Sequence, residues 1–366
     1  MDKLLTALGL MSGTSLDGID ASILVSNGEN IIDIKKNYYM PYKKDLKKRL
    51  ENYIESIEDI DDIKSSQKEY DKLERDLTIE HSNISKKIIK ESQIKIDIIG
   101  FHGQTIIHKP KKKYSIQMGD GNLLSKLLKT KVVFNFRKKD IENGGEGAPL
   151  TPIYHFQISK MLKIPEPNIF LNIGGITNYT YISDENFKAK DIGPGNILMD
   201  KYIKNQKKSN FDFNGEIANK GNINFNLINQ FIEHEFYQNK KKHSYDREDF
   251  DFLFVKGLKF EDGMATLNYF TAKIISEYIS DTFKNEVNII LCGGGRKNKT
   301  LIKNLSSLIN LKIKKIDDYG LDGDFVESQA FAYLSIRSLL KKNISFPDTT
   351  KIYKPSTGGE LSNISI

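Results

Sequence analysis

The run from Gly9 to Asp20, GLMSGTSLDGID, collects residue types suited to holding a polyphosphate. An apolar stretch, Leu4 to Leu10, leads into it and another, Ala21 to Val25, leads out, so the layout predicts strand, tight polar turn, strand. Gly13 and Gly18 permit close backbone approach. Thr14 and Ser15 offer hydroxyls, and Asp17 and Asp20 offer carboxylates that can reach a metal ion directly or through water. The turn is not a mononucleotide P-loop, which ends in Gly-Lys-Ser/Thr before a helix, and it lacks the G-x-G-x-x-G spacing of dinucleotide folds. The same residues also suit an ordinary Gly/Asp hairpin, and turn chemistry alone does not separate the two readings.

Asp191 is the candidate for a catalytic base. It is read as the end of a polar turn, followed by Gly193-Pro194-Gly195 and by a helix starting near Asn196, where phosphates and water can meet. A helix-capping Asp, worth about 1 kcal/mol, is the plain alternative. Gly174-Gly175, with Asn172 and Thr177 beside it, joins two further strand-like runs. Gly293-Gly294-Gly295 follows the buried run Val287 to Leu291 and leads into a helix, whose start can accept negative charge. The single Cys292 excludes an internal disulfide and reads as a small buried residue rather than a nucleophile.

Further motifs recur in order: His102-Gly-Gln-Thr105, Gln117-Met-Gly-Asp-Gly-Asn122, Phe136-Arg-Lys-Lys-Asp140 leading to Gly144-Gly-Glu-Gly-Ala-Pro149, Leu171-Asn-Ile-Gly-Gly-Ile-Thr-Asn178, Asp191-Ile-Gly-Pro-Gly-Asn196, Cys292-Gly-Gly-Gly295 and Glu327-Ser-Gln-Ala-Phe331. Together with the opening dodecamer they resemble the anhydro-N-acetylmuramic acid kinases, a branch of the actin/hexokinase-like phosphotransferases, over nearly the whole chain. The resemblance implies an α/β, two-domain actin/hexokinase-like (ribonuclease H-like) kinase fold with an interdomain active-site cleft. The expected boundaries are residues 1–135 plus 345–366 for the first domain and 136–344 for the second.

What the resemblance implies for chemistry is specific. ATP and Mg²⁺ are the expected cofactors, with Gly13, Thr14, Ser15, Leu16, Asp17, Gly18, Ile19 and Asp20 at the phosphates and Gly174 and Gly175 as a facing loop. Gly293, Gly294 and Gly295 fall on the adenosine side, and Asp17 and Asp20 order hydrated Mg²⁺. Asp191 activates the water that attacks the anomeric carbon of a 1,6-anhydro sugar while the freed 6-oxygen takes the γ-phosphoryl group. Phosphoryl transfer needs positioning and charge neutralisation, and the water needs one base, so no covalent nucleophile is required. Arg137 suits bidentate binding of a carboxylate or of sugar oxygens, and Glu327, His102, Asp120 and Asn122 are further sugar-facing candidates. A homodimer is expected. Ile192 stands where Thr is usual, Glu146 where Gln is usual, and the segment before Arg247 has lost a Ser-Thr-Gly, which bears on substrate geometry and specificity.

To position these groups, the sequence predicts strands over 4–10, 19–25 and 31–37, helices over 44–57 and 61–91, and a buried strand over 96–101. In 61–91 the apolar residues Leu73, Leu77, Ile84, Ile88 and Ile89 make one helical face. Strands over 168–173 and 177–182, joined by Gly-Gly, repeat the opening hairpin. Helices are expected over 263–283, 298–309 and 324–340, with strands over 287–291 and 312–316.

A chain of 366 residues exceeds what a single core usually supports, in keeping with two domains. With 39% hydrophobic residues and no apolar run near the roughly 20 residues of a membrane helix, it is expected to be soluble. Nothing at the N-terminus resembles a leader, so a cytoplasmic setting is expected. The net charge of +7 invites a nucleic-acid partner, but the lysines lie in scattered patches such as 111–113 and 240–242 without interleaved aromatics. No nucleic acid or membrane partner is therefore expected. The alternatives are a kinase of another amino sugar on the same fold, or a nucleotide-dependent sugar sensor without turnover.

Overall fold

The computed structural model describes residues 3–206, 208–233, 251–283 and 287–363. The Lys240 to Asp249 segment singled out above lies outside them. The chain forms two compact α/β units, one of Met1–Ile164 with Phe325–Ile366, the other of Pro165–Asp324.

In the first unit, β1 (Leu5–Ser12), β2 (Gly18–Ser26) and β3 (Ile31–Pro41) form an antiparallel meander. The helices α1 (Lys44–Ser56), α2 (Ile60–Ser65) and α3 (Gln67–Ser92) follow, then β4 (Ile98–Lys109), which runs parallel to β1. Beyond β4, β5 (Tyr114–Met118) folds back on its far end, and after α4 (Gly121–Leu128) the short β6 (Val132–Phe134) pairs parallel to β4. The predicted helix over 61–91 is divided. Asp59 and Asp62 form a capping box that starts α2, and Ser66 breaks helical geometry before α3 begins. Leu73, Leu77, Ile84 and Ile88 are all buried on one face of α3, each such side chain contributing about 1.5–3 kcal/mol.

The helices α5 (Lys138–Glu142) and α6 (Pro152–Met161) complete the first pass through this unit. The second unit then opens with β7 (Asn168–Ile173), β8 (Ile176–Ser183) and β9 (Asn186–Pro194), another antiparallel meander. After α7 (Ile197–Asn205), α8 (Phe225–Glu233) and α9 (Phe260–Thr282), β10 (Asn288–Cys292) joins parallel to β7. Past α10 (Lys299–Leu308), β11 (Ile313–Lys315) joins parallel to β10. Its order, β11-β10-β7-β8-β9, repeats β6-β4-β1-β2-β3 of the first unit. The actin/hexokinase-like class expected from the sequence is thus written in the strand order of both units. β9 was not predicted. Its signal is the alternation of Phe187 and Ala189 with Lys188 and Lys190, which gives period-two burial.

The chain returns to the first unit through α11 (Val326–Leu339), buried nearly all round and packed on β1, β2 and β4, and through β12 (Glu360–Leu361), which pairs with β6. The compact units therefore divide at 164/165 and 324/325, not at the expected 135 and 344. The reason is packing, since α6 and α11 contact each other and α5 lies against β5.

Candidate functional site

The ladder between β1 and β2 closes at Met11 and Asp20, leaving the turn held by a set of specific bonds. Leu16, in left-handed conformation, donates from its amide to the Gly13 carbonyl at 3.3 Å, and Gln104 donates to the same carbonyl at 3.2 Å. The Asp17 carbonyl accepts from the Tyr42 amide at 3.1 Å and the Tyr39 hydroxyl at 2.9 Å. Gly18 and Ile19 are buried where β2 begins, whereas Thr14, Ser15 and Asp17 stay exposed, with Ser15 donating to Asp17 Oδ1 at 2.7 Å. Asp17 and Asp20 both act on Tyr39, whose hydroxyl is pushed up to about 12, first by burial and then by these two carboxylates. Two hard oxygen donors beside a turn with exposed hydroxyls suit a hydrated Mg²⁺ shared with phosphates. Among the described residues no group of three or more acidic, His or Cys side chains gathers as a metal cage.

The first unit also brings His102, Arg137 and Glu327 together. Arg137 donates from Nη2 and Nε to His102 Nε2 at 3.0 and 3.3 Å and from Nη1 to the Gly147 carbonyl at 2.7 Å. A guanidinium has five N–H donors, so one on each Nη remains for a ligand acceptor. His102 Nδ1 sits 2.8 Å from the Gly103 carbonyl, which fixes that nitrogen as the protonated one. Burial, reinforced by Arg137, holds the imidazole well below its usual range. Burial lowers Arg137 to about 10, with Glu327 and Asp140 acting against it, while burial raises Glu327, partly offset by Arg137. Phe331, one turn beyond Glu327 on α11, packs against the His102 and Phe136 rings at 4.5 and 5.1 Å. Asp140 receives the Gly147 amide and the Thr350 hydroxyl, each at 2.6 Å, and so fixes the loop that Arg137 grips.

Asp120 and Asn122 are engaged differently. Asp120 Oδ1 caps α4 through the amides of Asn122 and Leu123 at 2.9 Å, and Asn122 Oδ1 accepts from the Asn363 amide.

In the second unit, Asp191 lies on β9 and not at the end of a turn. It pairs with Asn178, and the next pair is Thr177 with Gly193, so Ile192 is the extra residue of a β-bulge beside the carboxylate. Ile192, noted above as a departure, is buried in the core of this unit. The helix after it is α7, with Asn196 as its N-cap residue. The Gly174-Gly175 turn is clipped to this strand end: Gly195 donates to the Gly175 carbonyl and Asn196 to the Gly174 carbonyl, both at 2.8 Å. Thr177 Oγ1 donates to the Pro194 carbonyl at 3.0 Å. A Cβ on Gly195 would stand 2.2 Å from the Gly174 oxygen, so only glycine allows this approach.

Gly293 to Gly295 abut the same turn from the other side, because β10 ends opposite Asn172. Gly293 has φ +75, and a Cβ there would meet Asn172 Oδ1 at 2.3 Å. Sequence reasoning missed Arg296, which is 2% exposed, bonds Asp317 and Asp324 at 2.7 Å, and donates to the Gly293 carbonyl at 3.1 Å. Its signal was an Arg directly after the glycines, with Asp317, Asp322 and Asp324 downstream. Asp191, Gly174-Gly175 and Gly293–Gly295 thus meet at the strand ends of the second unit, the usual ligand side of such sheets. Ser12, Tyr42 and His81 were also missed; they form a buried hydrogen-bonded chain behind the first turn.

The comparisons with known proteins agree with one another. A family model described as AnmK, anhydro-N-acetylmuramic acid kinase, matches residues 5–362. The protein of Pelagibacter ubique (strain HTCC1062) named anhydro-N-acetylmuramic acid kinase is 48% identical, over 99% of each chain. Proteins of the same name from Brucella canis (strain ATCC 23365 / NCTC 10854 / RM-666) and from Zymomonas mobilis subsp. mobilis (strain ATCC 31821 / ZM4 / CP4) are 36% and 37% identical, each over 98% of this chain and 99% and 100% of theirs.

Proposed function

The chain belongs to the anhydro-N-acetylmuramic acid kinase family, and from that premise we propose that it opens 1,6-anhydro-N-acetylmuramic acid hydrolytically and phosphorylates O6, using ATP. The products are N-acetylmuramate 6-phosphate and ADP, which places the chain in the recycling of cell-wall sugars. The family match across residues 5–362 is the observation that carries this reading.

The residues divide the task as their chemistry suggests. Asp191 takes a proton from water, whose oxygen attacks the anomeric carbon. The bond from that carbon to O6 breaks, and O6 receives the γ-phosphoryl group. Arg137, with two N–H donors directed to a ligand, suits the substrate carboxylate, and Glu327 suits sugar hydroxyls. His102, neutral and accepting from Arg137, orients the guanidinium and does not carry a proton in the reaction. The turn from Gly13 to Asp20 and the glycine turns at 174–175 and 293–295 are assigned to the nucleotide. Mg²⁺ would be held through water by Asp17 and Asp20, supplying charge neutralisation to the phosphates. The same reading includes a homodimer in the cytoplasm.

The test is mass spectrometry of the sugar formed from 1,6-anhydro-N-acetylmuramic acid, ATP and Mg²⁺ in ¹⁸O-labelled water. A ring-opened phosphosugar with one solvent oxygen at the anomeric carbon, sampled before exchange, is the expected product. ADP release with no solvent oxygen in the sugar overturns the coupled mechanism.

A further inference from the structure

We propose that His81 is a positioning residue for the turn Gly13 to Asp17, acting through Ser12. This rests on the assignment of that turn to the ATP phosphates.

Ser12 ends β1 and is buried, with its hydroxyl 2.8 Å from His81 Nε2 and 2.8 Å from the Tyr42 hydroxyl. His81 Nδ1 is 2.8 Å from the Leu77 carbonyl, which can only accept, so Nδ1 carries the ring proton and Nε2 accepts. Ser12 has one hydrogen, and it goes to His81. The Tyr42 hydroxyl must then donate to Ser12. Every proton in the chain is fixed as long as the imidazole is neutral, and burial holds it there by lowering His81 to about 4.

The chain spans the turn. Tyr42 bonds Ser12, at the start of the turn, through its hydroxyl and Asp17, at the end, through its amide. Ser12 also faces Gln104 across a register shift between β1 and β4, and Gln104 holds the Gly13 carbonyl. His81 itself has no freedom to turn, being fully buried with its ring 4.8 Å from that of Phe101. A polar residue at this place on the apolar face of α3, between Leu77 and Ile84, is not needed for packing. Its geometry is that of an acceptor aimed at the residue from which the turn departs.

The test compares His81→Leu, His81→Gln and Tyr42→Phe with wild type, measuring affinity for a non-hydrolysable ATP analogue by calorimetry, KM for ATP and for the sugar, and Tm. His81→Leu is expected to weaken nucleotide affinity and raise KM for ATP about tenfold while leaving the sugar KM unchanged. His81→Gln, which keeps an acceptor, is expected to restore most of this. Tyr42→Phe deletes one hydroxyl and little volume, so it is expected to fold and to weaken nucleotide binding about threefold. Unchanged nucleotide affinity in Tyr42→Phe and in His81→Leu, with only Tm lowered, overturns the proposal and leaves His81 a core residue. If wild type itself binds no nucleotide, the phosphate assignment of the turn fails and this inference falls with it.

Discussion

His102 Nε2 accepts two hydrogen bonds from a single guanidinium, Nη2 of Arg137 at 3.0 Å and Nε at 3.3 Å. This arrangement requires a neutral imidazole, because an N–H at Nε2 would point into a cation. It also turns the guanidinium so that its third bond reaches Gly147 and its remaining donors are free for a ligand. Lysine cannot reproduce this fork, since an ammonium is a point charge without a plane. Arg137→Lys is therefore expected to raise the sugar KM by about tenfold to a hundredfold, leaving nucleotide affinity unchanged. Steady-state kinetics with each substrate varied in turn checks it, and an unchanged sugar KM removes Arg137 from substrate binding.

The buried histidines make acid stability a second prediction. Burial depresses His81 to about 4 and His155 to about 3, and His102 lies well below its ordinary 6.5. Their unfolded-state values are higher, so between 6.5 and those folded values the unfolded chain binds more protons. Stability is then full above pH 6.5 and falls as pH drops, by up to about 1.4 kcal/mol per pH unit for each group. Asp200 opposes them, because burial raises it to about 7. Its folded value exceeds the unfolded one, so its contribution is present at low pH and lost as pH rises toward 7. Asp200→Asn removes that opposition and is expected to steepen the loss of stability between pH 7 and 5. Chemical denaturation at several pH values measures it; equal slopes for variant and wild type contradict the assignment.

What the sequence made legible follows the reach of its signals. The strand-turn-strand units at 9–20 and 171–178 and the β10 to Gly293 junction are local in the chain, and glycine placement with apolar runs was enough to read them. β9 was not read because Lys188 and Lys190 interrupt the apolar residues, leaving Asp191 on a turn in the sequence view and on a bulged strand in the fold. The union of His102, Arg137 and Glu327 depends on β4, α5 and α11, elements far apart in sequence, so motif order could suggest it but no periodicity could. His81 escaped notice for the opposite reason, since it lies within a helical face whose apolar residues alone explained the helix.

Gly195→Ala tests the clip between the Gly174-Gly175 turn and the end of β9. The added methyl carbon would stand 2.2 Å from the Gly174 carbonyl oxygen and 3.1 Å from that of Gly175. Both oxygens belong to backbone, so the strand end after Asp191 must move. Overpacking of this kind costs about 1–3 kcal/mol, and the displacement is expected to lower kcat/KM by about tenfold or more. Tm and kinetics on the same preparation separate the two effects, and full activity in a folded variant means the clip does not position Asp191.

Asp191→Asn isolates the chemical step. The carboxylate sits on β9 opposite Asn178, with the bulge at Ile192 immediately before the backbone that is bonded to Gly174 and Gly175. Asn keeps the shape and the ability to accept a hydrogen bond, but it cannot take a proton from water. Loss of a general base costs about a hundredfold to ten-thousandfold in rate, so turnover is expected to fall by at least that range while nucleotide affinity and Tm remain near wild type. Because O6 is freed only when water attacks the anomeric carbon, sugar phosphorylation and solvent-oxygen incorporation must fall together. If phosphorylation persists at wild-type rate, Asp191 is not the base. If a ring-opened, unphosphorylated sugar carrying solvent oxygen accumulates, opening and transfer are separate steps rather than one coupled reaction.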